Sequence, residues 1–202
     1  NVSQDRMRSN ASWVKIAYGE LGVTEVPGPK SNPRIMEYFD AVPGSEWVKD
    51  DVTPHCGAFL GWVFTKDGRG IPKEALRAQA WRAWGQPLKK PRPGAVAVIR
   101  RGTNPKHGHV FIIDDVSPDG KWLYGLGANQ SDTVCIQRYP VSALFPDGLR
   151  WPPNAPVPWL PPAPRGTKTA TAGVATGAVA VGVGGQVVTN VVGDAAALPR
   201  LS

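Results

Sequence analysis

Cys56 has the widest chemical reach of any side chain in this sequence. It stands in TPHCGAFLGWVF, residues 53–64, between a Thr-Pro-His stretch and a run of small and apolar residues. A thiol becomes a nucleophile when its thiolate is stabilised, and the unpaired N–H groups and positive dipole end of a helix start do this. Thr53 followed by Pro54 reads as a cap and a first helical residue, which puts Cys56 in the first turn of a helix running through Ala58, Phe59, Leu60, Trp62 and Val63. Gly57 and Ala58 leave room for a substrate carbonyl, and the N–H of Cys56 is available to an oxyanion. Position alone leaves two readings open, a nucleophile or one of many buried, inert cysteines.

A nucleophilic thiol needs a base, and the chain offers His55, His107 and His109. His55 is the chain neighbour of Cys56, and adjacent side chains on a helix diverge. His109 opens the strand-like run HVFIID, where alternation sets His109, Phe111 and Ile113 on one face; a helix bearing Cys56 across that face would bring thiol and imidazole together. His107, in the preceding loop, is the second candidate and otherwise a solvated loop residue. A third group should fix the far ring nitrogen, and GLGANQSD supplies Asn129 and Gln130 at the end of the next strand. Asn129 is the expected orienter, with a turn-forming role as its alternative in so Gly-rich a setting; Gln130 is expected on the substrate side. Asp114 and Asp115 rank behind, because they lie at the far end of the histidine's own strand. Trp81 and Trp84, three apart on an expected exposed helix, are candidates for a sugar or peptide groove. No H-E-x-x-H, C-x-x-C, phosphate-binding loop or dinucleotide fingerprint occurs, so neither metal nor cofactor is expected.

These residues must be positioned by the elements around them. Helical spacing in ASWVKIAYGELGV, a short helix from about Pro33 to Phe39, and the Cys56 helix come first. From GAVAVIRR the texture changes to β-branched and aromatic runs, continued in HVFIIDDV, KWLYGLG and TVCIQRYP and separated by Gly-, Pro- and Asn-rich turns. Helices followed by an antiparallel meander make an α+β arrangement, with helices covering one face of a small sheet. The expected organisation is an N-terminal extension over 1–10, a globular domain over 11–152, a Pro-rich linker over 153–168 and a Gly/Ala/Val-rich tail over 169–202. Between Lys168 and Asp194 the tail carries no charge, a span long enough to cross a bilayer, but Gly, Thr, Gln186 and Asn190 dilute its hydrophobicity. A membrane-active segment over 169–193 and a disordered or partner-bound tail are both open readings.

With 202 residues, 23 basic and 16 acidic side chains, the net charge is +7, which favours a polyanionic partner such as nucleic acid, anionic lipid or cell-wall polymer. The charges are scattered instead of forming a basic stripe, so nucleic acid is not expected. Cys56 and Cys135 make no disulfide framework, though one bridge between them is conceivable. The first ten residues hold no apolar run of signal-peptide length, and the Asn start reads as a processed or partial product.

In order along the chain, SWVKIAYGELGVTEVPGPKSNPRIMEYFDAV, HCGAFLGWV, RPGAVAVI, GHVFII, GLGANQSDTV and RYPVSALFPDGLRWP resemble the phage-type cysteine peptidases of the NlpC/P60 and CHAP group, over residues 11–152. The resemblance implies a papain-like α+β domain that hydrolyses an amide bond of peptidoglycan, with Cys56 as nucleophile, His109 as base and Asn129 as orienter. Where the family commonly has an aromatic residue before the cysteine and alanine after it, this chain has His55 and Gly57, two positions expected to shape the substrate cleft. Peptidoglycan is the implied partner, with phage tail proteins or the bacterial membrane as further partners through the tail. The implied setting is the virion tail, or the periplasm and wall of the host during infection. A virion structural protein that uses the same fold for wall binding or assembly, with little catalysis, is the competing reading.

Overall fold

Thr53 does not cap the helix that carries the cysteine. Its N–H and hydroxyl both donate to the Asp50 carboxylate, and α3 (Cys56–Lys66) begins two residues after Pro54, with Cys56 as its first residue and His55 as N-cap. Every residue from Cys56 to Phe64 is buried, as befits a helix apolar on all sides. In this computed structural model, residues 7–157 are described. The Pro-rich stretch from 158, the 169–202 tail and residues 1–6 lie outside the described residues.

Two helices precede α3. The first, α1 (Ser12–Tyr18), ends at Gly19, short of the expected stop at Gly22, and has Ala11 at its N-cap without a side-chain bond. The second, α2 (Pro33–Asp40), starts where the sequence indicates: the Asn32 side chain accepts from the Arg34 N–H, and Pro33 fills the first turn. Arg34 then bonds Glu20 through two nitrogens, at 2.8 and 2.7 Å, while Tyr38 donates to the same carboxylate at 2.6 Å. That buried carboxylate ties α2 to the end of α1. The expected exposed helix around Trp81 is a 3₁₀ segment (Ala78–Ala83) packed into the core.

The sheet contains β1 (Gln86–Pro87), β2 (Val96–Arg100), β3 (Gly108–Val116), β4 (Trp122–Gln130), β5 (Thr133–Pro140) and β6 (Leu144–Trp151), all antiparallel, in the order β1-β6-β2-β3-β4-β5. The fold is therefore α+β, and β2 to β5 form the expected meander. Strand β6 is additional to the four strands expected from the sequence; it carries Pro146, Asp147 and Gly148 and inserts between β1 and β2. Helix α3 packs against β3 and β4 and against α1 and α2, so the sheet has helices on the face that receives the cysteine. Leu60, Phe64, Phe111 and Ile112 are among the fully buried side chains of the resulting core.

Gly57 fixes how closely α3 approaches the chain before the 3₁₀ segment. A Cβ there would lie 2.2 Å from the Ala75 carbonyl oxygen and 2.6 Å from that of Leu76, and neither backbone atom has a flexible end that could yield. Gly57→Ala is therefore expected to lower unfolding free energy by about 1–3 kcal/mol. Thermal denaturation checks this, and an unchanged midpoint would contradict the close approach.

Candidate functional site

The end of β4 is built around a local irregularity. Strand β4 pairs with β5 regularly from Trp122↔Pro140 to Gly127↔Cys135, then shifts register before Gln130↔Thr133. Asn129 sits in the shift with φ +56°, a left-handed conformation that asparagine tolerates better than most residues. Ser131 and Asp132 then close the hairpin with φ of +53° and +58°, the double positive-φ geometry of a tight two-residue turn. An extra residue in a strand exchanges its faces.

The consequence is that Gln130, and not Asn129, meets the histidine. His109 Nε2 lies 3.0 Å from Gln130 Oε1, whereas the Asn129 amide donates to Glu25 at 3.3 Å. This corrects the expected orienter. The orientation of the Gln130 amide is set by its other contacts: its Nε2 donates to the Cys135 carbonyl at 2.6 Å and to the Gly125 carbonyl at 3.1 Å, and its Oε1 also accepts from the Tyr139 hydroxyl at 2.9 Å. Oε1 is therefore the acceptor, and His109 must carry its proton on Nε2. Nδ1 is left as a lone pair, buried and without a hydrogen-bond partner among the described residues.

The start of α3 meets the start of β3 at the thiol. The backbone N–H groups that act electrostatically on the Cys56 thiol are those of Val110, the residue after His109, of Gly57 and of Cys56 itself. Burial pushes the thiol up from its ordinary value, and these three N–H groups and the Arg101 charge pull against that rise. Burial also pushes His109 down, to about 4; the Gln130 bond opposes the drop and the Arg101 charge adds to it. At neutral pH the two groups rest uncharged, as thiol and imidazole. The Tyr139 ring lies 5.5 Å from the imidazole and stacks on Phe111 at 4.7 Å, so the histidine is clamped by rings as well as by the amide. Burial raises the Tyr139 hydroxyl, which stays a neutral donor to Gln130.

Two recesses open on this point. One, about 950 Å³, is lined by Cys56, Arg101 and Asn129 among others; the second, about 480 Å³, is lined by His109, Gln130 and Tyr139 and shares Arg101 and Asn129 with the first. Cys56 thus lines the first arm and His109 the second, with Arg101 and Asn129 common to both. Such a site can pass a proton from Sγ to Nδ1 and hold a developing oxyanion at the helix start. Among the described residues, no group of three or more His, Cys, Asp or Glu side chains is placed to hold a metal ion.

The remaining candidates are placed elsewhere. His55 is fully buried, with Nδ1 against the Thr53 carbonyl at 3.2 Å and Glu25 at 3.7 Å, so it supports the loop before α3 and lines neither arm. Gly57 is a packing position. Trp81 and Trp84 are core residues whose indole N–H groups donate to the carbonyls of Ala75 and Gly70, in edge-to-face contact at 4.9 Å. His107 is exposed beside Asn104 on the first arm. Asp114 accepts from Tyr18, and Asp115 pairs with Arg8. Both cysteines are free; Cys135 donates to the Gln130 carbonyl, so no bridge joins it to Cys56. Tyr139 and Arg101 were not anticipated, although period-2 alternation in TVCIQRYP could have marked Tyr139.

The family model for the CHAP domain matches residues 47–129. Over that stretch the chain is CHAP-like. The match holds Cys56 and His109 and ends one residue before Gln130. CHAP domains are, as a group, amidases and peptidases of peptidoglycan. None of the curated proteins compared with the chain matches it.

Two outcomes follow from this geometry. If wall-lytic activity is measured, Gln130→Ala should lower it on the order of ten- to a hundredfold by loosening the imidazole, and Asn129→Ala by far less; the reverse order would contradict the assignment. His109, with its folded value depressed below the unfolded 6.5, contributes stability that is present above pH 6.5 and lost as pH falls towards 4. Denaturant unfolding of the native protein should therefore lose about 3 kcal/mol more than His109→Gln over that window. Parallel pH profiles would contradict the burial of a neutral imidazole.

Proposed function

We propose that the protein hydrolyses an amide bond of bacterial peptidoglycan through Cys56, His109 and Gln130. The observation that carries this reading is the fixed Gln130 amide, which commits the Nε2 proton of His109 and leaves Nδ1 with a free lone pair, the atom assigned here as base to the Cys56 thiol. The CHAP match supplies the substrate class.

The reaction runs in two halves. As Cys56 Sγ attacks the amide carbonyl, its proton moves to His109 Nδ1, and the carbonyl electron pair becomes an oxyanion facing the N–H groups at the start of α3. Collapse of the tetrahedral intermediate breaks the C–N bond, and the proton on Nδ1 passes to the leaving amine. A thioester remains on Sγ. Water then gives a proton to Nδ1 and adds to the thioester carbonyl; the thiolate leaves, recovers that proton, and the product acid departs. Gln130 is a positioning residue throughout, since its neutral amide holds the ring but does not hold a positive charge in place. The pair must therefore generate its thiolate during attack, helped by the Val110, Gly57 and Cys56 N–H groups.

The finer setting, a phage-encoded lysis or tail-associated enzyme, rests on the sequence resemblance over residues 11–152. Digestion of purified peptidoglycan with wild-type and Cys56→Ala protein, read by mass spectrometry, tests the whole reading. Wild-type protein should create new amine and carboxyl termini at one type of amide bond, and Cys56→Ala, folded by circular dichroism, should create none. Termini formed equally by both would exclude Cys56 as the nucleophile.

A further inference from the structure

The cleft arm that contains Cys56 has a one-sided charge. Arg77, Arg101, Lys106 and His107 all line it, and no Asp or Glu is among its lining residues. Arg101 and Lys106 make no side-chain hydrogen bond or ion pair within the described residues; Arg77 has one exposed, 3.7 Å pairing with Glu74. The loop that presents Arg101 and Lys106 is held against the 3₁₀ segment, because Gln79 Nε2 donates to the Pro105 carbonyl at 2.7 Å. Arg101 is also the cation whose charge reaches both Cys56 and His109, and it lines both arms. The second arm differs: it includes Asp132, and its Arg100 is spent on the Leu144 carbonyl and the Phe145 ring.

Exposed cations around a concave arm, of which Arg101 and Lys106 have no ion-pair partner among the described residues, bias its potential to positive where substrate must lie. A guanidinium common to both arms offers a paired donor geometry that fits a carboxylate. From this we infer that the Cys56 arm is a subsite for a free carboxylate of the substrate, with Arg101 as its main recognition residue and Lys106 and Arg77 as supporting charges. The inference rests on the peptidoglycan reading above for its substrate, whose stem peptides carry free carboxylates that amidation can remove. It makes the enzyme selective for unamidated wall, a property that the Cys56, His109 and Gln130 arrangement does not itself confer.

The test uses two soluble stem peptides that are identical except that the side-chain and α-carboxylates of one are amidated. For the full chain, kcat/KM should favour the carboxylate peptide about tenfold. Arg101→Gln should bring the ratio close to one, and Arg101→Lys should restore part of it. Comparing two substrates within one variant cancels any effect of Arg101 on the thiol. Calorimetric binding of both peptides to Cys56→Ala protein, with and without Arg101→Gln, gives a readout independent of turnover. A preference in binding that disappears with Arg101, but without any cleavage by the wild-type chain, upholds the subsite and sinks only the hydrolase reading. Equal binding and equal turnover of the two peptides, or a preference that survives Arg101→Gln, overturns the subsite.

Discussion

A single side-chain amide determines what this cleft can do. Gln130 gives both of its N–H bonds to backbone carbonyls of β4 and β5, so its oxygen can only point at His109 and Tyr139. An amide free to rotate would present nitrogen or oxygen with little preference, and the imidazole would then adopt either tautomer. The carbonyls of Gly125 and Cys135 remove that choice. The sheet backbone thus selects the protonation pattern of a histidine, and the histidine in turn keeps one free lone pair, on Nδ1.

The neutral orienter has an energetic consequence. A carboxylate in the same place would stabilise an imidazolium and, through it, a resting thiolate. An amide provides no such charge, and burial penalises both ions, so the site stores its reactants uncharged and relies on N–H groups and Arg101 to lower the barrier when charge develops. Burial of uncharged groups is inexpensive at neutral pH and becomes costly in acid. The fold buries other ionisable groups as well, among them Asp51, His55 and the Glu20 carboxylate, which is held by Arg34 and Tyr38.

Much of this was legible in the sequence because it depends on short-range pattern. The Pro-Gly-Pro turn and Pro33 marked α2, the apolar run marked α3, and the β-branched and aromatic runs marked β2 to β5 in order. Cys56 and His109 emerged because a thiol at a helix start and an imidazole at a strand start are rare local placements. What escaped reading depended on register. Asn129 and Gln130 are neighbours, and only the left-handed kink at Asn129 decides which one turns inward. Trp81 and Trp84 looked exposed because a polar residue lies between them and a short 3₁₀ segment has no regular amphipathic stripe to read. His55 follows proline and looked like a cleft residue, but the helix starts two residues later than Pro54 would suggest and the ring turns into the interior. Strand β6 hid behind a Pro-Asp-Gly sequence that belongs to its own irregular pairing.

The claim beneath all of this is that His109 is neutral, protonated on Nε2 and open on Nδ1. Long-range ¹H–¹⁵N correlation spectra of the imidazole, with the protein labelled at histidine nitrogen and held near neutral pH, report this directly. The account predicts a protonated Nε2 and an unprotonated Nδ1 for His109. A proton on Nδ1, or both nitrogens protonated, would contradict it.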